Sequence, residues 1–383
     1  MPQHGSSGCG ILLGKSTNFP SARRSSGMKI ALFCPTVSGQ GGIEAAIKNL
    51  MAGFHSLGDE CRLFMLGGSV DKNWLRGLPH TEIGSPENSK YVRFAKYATL
   101  PSLELMKWRP DALIAADVTT IRMAKLARLL SGNGKMPIAS WIHFPIAKLR
   151  MKEHLHDADC HLAISGDIAE DIRAFLPQQR DRVFTIYNGI DVNHASLVPR
   201  AQTPTFLYVG RLTFDDQKRV NDILHALARL RGDFRAKIIG EAPKLRPGHK
   251  EQLHALAQQL NLTDRVEWLG WQSEPWEAAG SASALILASA HEGFPMILLE
   301  ATSRGIPCIS SDCKSGPSEI IEEGKNGWLY PVGDIDRLAA LMQRIIDQPE
   351  ILPAPDTVRE TAHKFSAEAV AGYARQGLQK VMR

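Results

Sequence analysis

From Met28 onward the chain repeats one unit: an apolar, β-rich run of five or six residues, then a segment whose apolar residues return every three or four positions. Strand-like and helical periods that alternate in this way predict βα units and a parallel sheet. In the first half the strand runs are 29–34, 61–66, 112–116, 137–142 and 160–164. Ile43, Ile47, Leu50, Met51, Phe54 and Leu57 give the intervening helix one apolar face. The stretch VNHASLVPRAQTP (192–204) is polar, contains prolines and has no period, so it is read as a linker. A second series follows at 206–210, 236–240, 265–270, 284–289, 307–311 and 326–330. At 383 residues the chain exceeds what one core usually sustains. The expected fold class is therefore α/β, with two doubly wound Rossmann-like domains facing each other across a cleft and ligands at the carboxyl ends of the strands. The N-terminal domain is placed at 28–195 and the C-terminal domain at 200–365, with a last helix at 366–383 that packs on either domain or crosses back to the first.

Residues 1–27 are rich in Gly and Ser and carry an apolar run only at Ile11–Leu13, too short for a signal-peptide core, so they read as a disordered tail. No segment has the roughly 18 consecutive apolar residues of a membrane span. The net charge of +5 requires no nucleic-acid partner. Six cysteines without metal-type spacing point to reduced thiols in a cytoplasm. Cys308 and Cys313 are close enough in sequence for a disulfide, but Cys308 enters a strand and is read as core packing.

The chemistry gathers at the strand ends. In HEGFPMILLEATSRG, a strand leads into a turn at His291–Phe294, Pro295 takes the first helical position, and Gly305 ends the helix. Free N–H groups at Phe294, Pro295's successor Met296 and Ile297 would face a phosphate at the positive end of that helix. Carboxylates beside an anion repel it, so Glu292 in the loop and Glu300 one to two turns inside are assigned to sugar hydroxyls. The plainer reading makes Glu300 a surface acid and Glu292 a dipole partner. FLYVGRLTFDDQKRV puts Arg211 at the carboxyl end of a strand and Lys218 near the next helix, two cations able to neutralise a diphosphate leaving group without a metal. Asp215 and Asp216 could instead pair with them on the surface. VSGQGGIE brings the backbone of Gly41 and Gly42 close to a ligand, although the spacing is not that of a dinucleotide fingerprint. His143 follows a strand at the cleft, either as a donor to a sugar hydroxyl or as a satisfied core histidine. Asp157-Ala-Asp159 and Asp334-Ile-Asp336 read as caps or solvated acids rather than metal ligands.

In order, GGIE (41–44), GRL with Lys218, and Glu292 followed by Glu300 resemble the retaining family 4 glycosyltransferases of the GT-B fold, over nearly all of 28–340. The strings VSGQGGIE, LYVGRLTFDDQKRV, GWQSEPW, EGFPMILLEA, GIPCISSDCKSGP and NGWLY are similar to the hexosyltransferases of lipopolysaccharide core assembly. The resemblance implies a UDP-galactose or UDP-glucose donor, a lipopolysaccharide core acceptor, no cofactor and no metal. It also implies Arg211 and Lys218 on the diphosphate, Glu300 on the ribose, Glu292 and His143 on the hexose, and Gly41, Gly42, Phe294, Pro295, Met296 and Ile297 along the phosphate or sugar. Gly240, Glu241 and Trp271 fall in the loops that line the nucleotide. Retention without a covalent carboxylate implies front-side displacement, with the departing phosphate oxygen taking the acceptor proton. A nucleotide-sugar epimerase or a non-catalytic sensor with this architecture would lack an acceptor or a product. SKYVRFAKYATL (89–100) mixes basic and aromatic residues and is read either as a contact to the inner face of the bacterial inner membrane or as a solvated helix face.

Overall fold

A computed structural model of the chain describes residues 27–383 apart from Gln40, Pro86, Ser89, Asp216 and Arg383; for 90–95 and Ala98 it gives the backbone alone. The tail expected over 1–27 lies, Gly27 excepted, outside the described residues, as do most side chains of the 89–100 segment.

The first lobe runs β1 (Lys29–Cys34), α1 (Gly42–Ser56), β2 (Glu60–Met65), β3 (His80–Glu82), α2 (Lys90–Trp108), β4 (Ala112–Ala115), α3 (Val118–Leu130), β5 (Ile138–Ile142), β6 (Cys160–Ala163), α4 (Gly166–Phe175) and β7 (Val183–Thr185). The second runs β8 (Thr205–Val209), α5 (Val220–Leu227), β9 (Arg235–Ile239), α6 (Gly248–Gln259), β10 (Val266–Gly270), α7 (Pro275–Ala279), β11 (Ala284–Leu287), α8 (Met296–Ser303), β12 (Cys308–Ser311), α9 (Pro317–Ile320), β13 (Gly327–Tyr330), α10 (Ile335–Asp347), α11 (Pro355–Glu360) and α12 (Ala367–Val381). Every strand pairing is parallel. The sheet orders are β3-β2-β1-β4-β5-β6-β7 and β10-β9-β8-β11-β12-β13. In each, the order reverses beside the first strand of the lobe, between β1 and β4 and between β8 and β11. A ligand crevice opens at such a reversal, outside the carboxyl ends of the strands.

The central strands are covered by helices on both faces, which is why they read as continuous apolar runs. Ile30 to Cys34, Ala112 to Ala115 and Leu285 to Leu287 are all essentially buried. Truncating such a side chain to Ala costs on the order of 2–5 kcal/mol. The edge strands β3 and β7 were not expected; with three residues each they are too short to show a period. The 192–204 linker packs along the second lobe, where Val198 N–H donates to Arg304 O at 3.0 Å and Ala282 N–H to Pro199 O at 3.1 Å. α12 crosses back onto α1 of the first lobe. A Cβ on Gly53 would lie 2.0 Å from Ala367 O, so glycine is what lets the two helices meet there. The cysteines among the described residues are all buried and free, Cys308 and Cys313 included.

Candidate active site

At the β8/β11 reversal, two loops are knitted together. The first, 210–219, is held by its own side chains and by α5: Lys218 N–H donates to Thr213 Oγ1 at 3.0 Å and Asp215 N–H to Asn221 Oδ1 at 3.0 Å. Asp215 thus serves the loop rather than Arg211 or Lys218; Asp216 lies outside the described residues. The second loop joins it through Gln217, whose amide donates to His291 O at 3.1 Å while its carbonyl oxygen accepts from Arg211 Nη2 at 3.0 Å. Tyr208, buried on β8, donates its hydroxyl to Arg211 O at 2.7 Å and so fixes the start of the first loop.

Lys218 and Glu292, separated by 74 residues in sequence, meet with Nζ 2.6 Å from Oε1. Their side chains are only 16% and 9% exposed, so each charge depends on the other for what water would supply. The expectation that put Lys218 on a phosphate and Glu292 on a hexose gives the two residues separate partners; the structure pairs them directly. Arg211 and Lys218 against Glu292 leave these three groups one net positive charge. Cys313 lies beside the pair, and burial first, with Glu292 adding, pushes its thiol up to about 12. It is a packing thiol rather than a nucleophile.

α8 starts at Met296. Pro295 is its N-cap (φ −76°, ψ 92°) rather than its first helical residue, because its carbonyl accepts from Leu298 N–H while its own ψ stays extended. Met296 and Ile297 therefore occupy the first turn, whose N–H groups have no acceptor within the helix. The Phe294 ring packs on Tyr187 and Phe365, with centroids at 5.5 and 5.7 Å. Gly305, at φ 75°, follows the C-cap as expected. Glu300 is partly buried, and burial raises its carboxyl, opposed by the Arg304 charge and the Trp276 indole beside it.

Gly240 follows β9 at φ 144°, and a Cβ there would lie 1.8 Å from Gly210 O; only glycine lets these two strand ends lie side by side. Glu241 is held by Lys250 at 2.8 Å. Trp271, just past β10, is 61% exposed and offers an open aromatic face.

The first lobe contributes less charge. Glu44 reaches back to accept from Gly39 N–H at 2.6 Å, Gly41 N–H at 3.0 Å and Ser38 Oγ at 3.2 Å. Gly41 is the N-cap of α1, so its N–H belongs to a capping interaction, whereas a Cβ on Gly42 would have nothing within 4 Å. His143 is buried against Trp141, ring centroids 4.3 Å apart, and its carbonyl abuts Gly293 of the other lobe, where a Cβ would meet it at 2.4 Å. Its Nε2 is buried with no partner, and burial alone lowers the imidazole to about 3. It is a neutral ring with one unspent hydrogen-bonding nitrogen. Asp157 and Asp159 pair with Lys125 and Arg128, Asp334 caps α10 and Asp336 pairs with Arg229. Among the described residues no group of three or more His, Cys, Asp or Glu side chains is placed to hold a metal.

Two Rossmann-like lobes with cations and acids at the second lobe's strand reversal define the architecture of a GT-B glycosyltransferase. Residues 40–194 match the family model described as Glycosyltransferase Family 4, and residues 190–369 match Glycosyl transferases group 1. The chain is 37% identical to the lipopolysaccharide 1,6-galactosyltransferase of Escherichia coli, over 83% of this chain and 89% of that one. It is 38% identical to the Salmonella typhimurium enzyme of the same name, over 88% and 95%. The solved apo structure of the lipopolysaccharide outer core galactosyltransferase WaaB matches with a TM-score of 0.77 at 36% identity, covering 92% of this chain and 99% of that one. Anabaena HepE in complex with UDP shares the fold, with a TM-score of 0.78 at 18% identity, covering 92% and 100%. The chain belongs to the family 4, group 1 glycosyltransferases, and it is a hexosyltransferase.

Proposed function

We propose that this enzyme transfers galactose from UDP-galactose to a hydroxyl of the lipopolysaccharide core, through an α-1,6 linkage to glucose, with retention and without a metal ion. The reading is carried by the Lys218–Glu292 pair beside Arg211 at the β8/β11 reversal. A diphosphate entering there takes Lys218 and Arg211 as counterions and frees Glu292 for the hexose hydroxyls. Glu300 faces the ribose, Trp271 stacks on the base, and the α8 N–H groups with Gly42 face the phosphate. His143 Nε2 meets a hexose hydroxyl across the cleft. As the anomeric bond breaks, charge grows on the phosphate oxygen, and the two cations stabilise it more than they stabilise the intact donor. The same oxygen takes the acceptor proton. A UDP-glucose donor differs at one hydroxyl and is the alternative.

The likeness to the two 1,6-galactosyltransferases supports the acceptor and linkage. Incubation with UDP-galactose, UDP-glucose and a truncated core oligosaccharide, with EDTA, tests donor, acceptor and metal together. An α-linked galactosyl product by NMR is expected; a β-anomer, or loss of turnover with EDTA, refutes the mechanism.

A peripheral contact with the inner membrane belongs to the same reading. No helix among the described residues is long and apolar enough to cross a membrane. Leu103 and Met106 of α2 and Leu129 of α3 are nonetheless at least half exposed, near Lys107 and Lys125. Apolar and basic side chains together suit an anionic bilayer surface. Co-sedimentation with anionic liposomes at low salt is expected, and its absence counts against the contact.

A further inference from the structure

A second contact between the lobes lies beside the donor pocket. Gly166 opens α4 in the first lobe, and its N–H donates to both carboxylate oxygens of Glu319 in the second, each at 2.9 Å. In the reverse direction, Ser315 N–H donates to Asp167 Oδ2 at 2.7 Å, and Lys314 Nζ pairs with Asp171 Oδ1 at 2.9 Å. Each lobe thus hands a carboxylate to the other's backbone. The N–H groups at the start of α4 have no partner inside the helix, so an acid from across the seam is favoured there. A Cβ on Gly166 would lie 3.1 Å from Glu319 Oε2, which leaves no slack in the contact.

The segment that carries Ser315 and Glu319 also backs the donor pocket. Gly316, at φ 109°, presses so closely on the start of α8 that a Cβ would meet Pro295 Cδ at 2.5 Å and Phe294 Cα at 3.2 Å. Ser315 itself sits at φ 75°, a conformation that costs a non-glycine residue on the order of 1 kcal/mol or more and persists only where the surroundings hold it. Every side chain assigned to the nucleotide belongs to the second lobe, and the first lobe adds only the backbone at Gly42 beside the phosphate and His143 on the hexose. The spacing of the lobes therefore decides whether the hexose is held from both sides.

We propose that Glu319 and Asp167 are positioning residues, a reciprocal clasp that sets the lobe spacing for transfer while leaving nucleotide binding to the second lobe. The inference rests on the UDP-sugar reading above, since it divides the donor between the lobes.

The test uses the full chain with Glu319→Gln and Asp167→Asn combined, and Gly166→Ala as a variant that removes no charge and adds one methyl at the seam. Three quantities are read: UDP affinity by calorimetry, kcat with donor KM, and the interlobe distance by electron–electron resonance between one spin label per lobe. UDP affinity within about threefold of the parent is expected, as for changes outside a binding site. Turnover should fall by about tenfold or more, in line with the sensitivity of transfer to misplacement of about 1 Å, and the distance distribution should lengthen or broaden. Gly166→Ala should move turnover and the distance in the same direction by less, with UDP affinity again unchanged, and it carries the test should the double variant not fold. A purely structural role would lower the melting temperature without separating kcat from UDP affinity. Unchanged turnover and unchanged distances overturn the clasp, as does UDP affinity that falls in step with turnover. If the parent enzyme binds no UDP, the donor reading is what has failed, and the distance measurement decides the clasp by itself.

Discussion

The two strand reversals, built on the same topology, have been put to opposite uses. At β8/β11 the loops bring Arg211, Lys218 and Glu292 together with one net positive charge, and the Lys218–Glu292 pair points its charges at each other across the two loops. At β1/β4 the acid turns inward: Glu44 spends its oxygens on Gly39, Gly41 and Ser38, and the loop presents backbone rather than charge. Topology supplies the crevice, and the side chains decide whether it binds charge or merely shapes the space beside it.

Replacing Lys218 should break this contrast most severely. Lys218→Ala is expected to lower kcat by roughly 10²–10³-fold, the scale of removing one preorganised charge stabiliser, with a smaller loss of UDP affinity. Steady-state kinetics beside calorimetry separate the two, and unchanged turnover would remove Lys218 from the mechanism. Glu292→Gln sharpens the contrast by releasing the amine. Turnover should drop, yet UDP should bind about tenfold more tightly, the worth of one charge-assisted hydrogen bond no longer held by the carboxylate. Weaker UDP binding in that variant would mean that the pair is preserved in the complex.

In the other lobe, Glu44→Ala should cost stability of about 1–3 kcal/mol, since it leaves N–H donors of the glycine loop unpaired, while UDP affinity stays the same. Urea midpoints measure the first and calorimetry the second; a large loss of UDP affinity would give the first lobe a charge role after all. The smallest effect concerns His143. Its folded form stays neutral down to about pH 3, whereas the unfolded chain takes up the proton near its ordinary value, so the contribution to stability is full above about pH 6.5 and is lost as pH falls toward 3. Between pH 7 and 6 this amounts to about 0.7 kcal/mol, and His143→Gln should remove that part of the pH dependence in parallel melts.

The fold was largely legible because parallel strands covered on both faces leave uninterrupted apolar runs, and each central strand was located to within a residue or two. β3 and β7 had no such signature. In the second lobe, Arg211, Lys218, Glu292 and Glu300 stand out in the sequence because each lies in the loop that follows a strand or in the helix after that loop. That Lys218 and Glu292 touch could not, because nothing local links positions 74 residues apart. The aromatic contacts of Phe294 with Tyr187 and Phe365 were hidden for the same reason: three rings from three distant segments converge only once both lobes exist. The bond from the Gly41 N–H to Glu44, three residues on, is a capping contact that the glycine spacing alone does not show.

The return of α12 to α1 has a consequence for biosynthesis. A ribosome makes α1 early and α12 late, so the strip of α1 around Gly53, shaped to receive Ala367, stays bare while the whole second lobe is translated. Nascent chains arrested before α12 should show that strip to proteases and chaperones, and its closure marks the moment when the polypeptide becomes one cooperative unit.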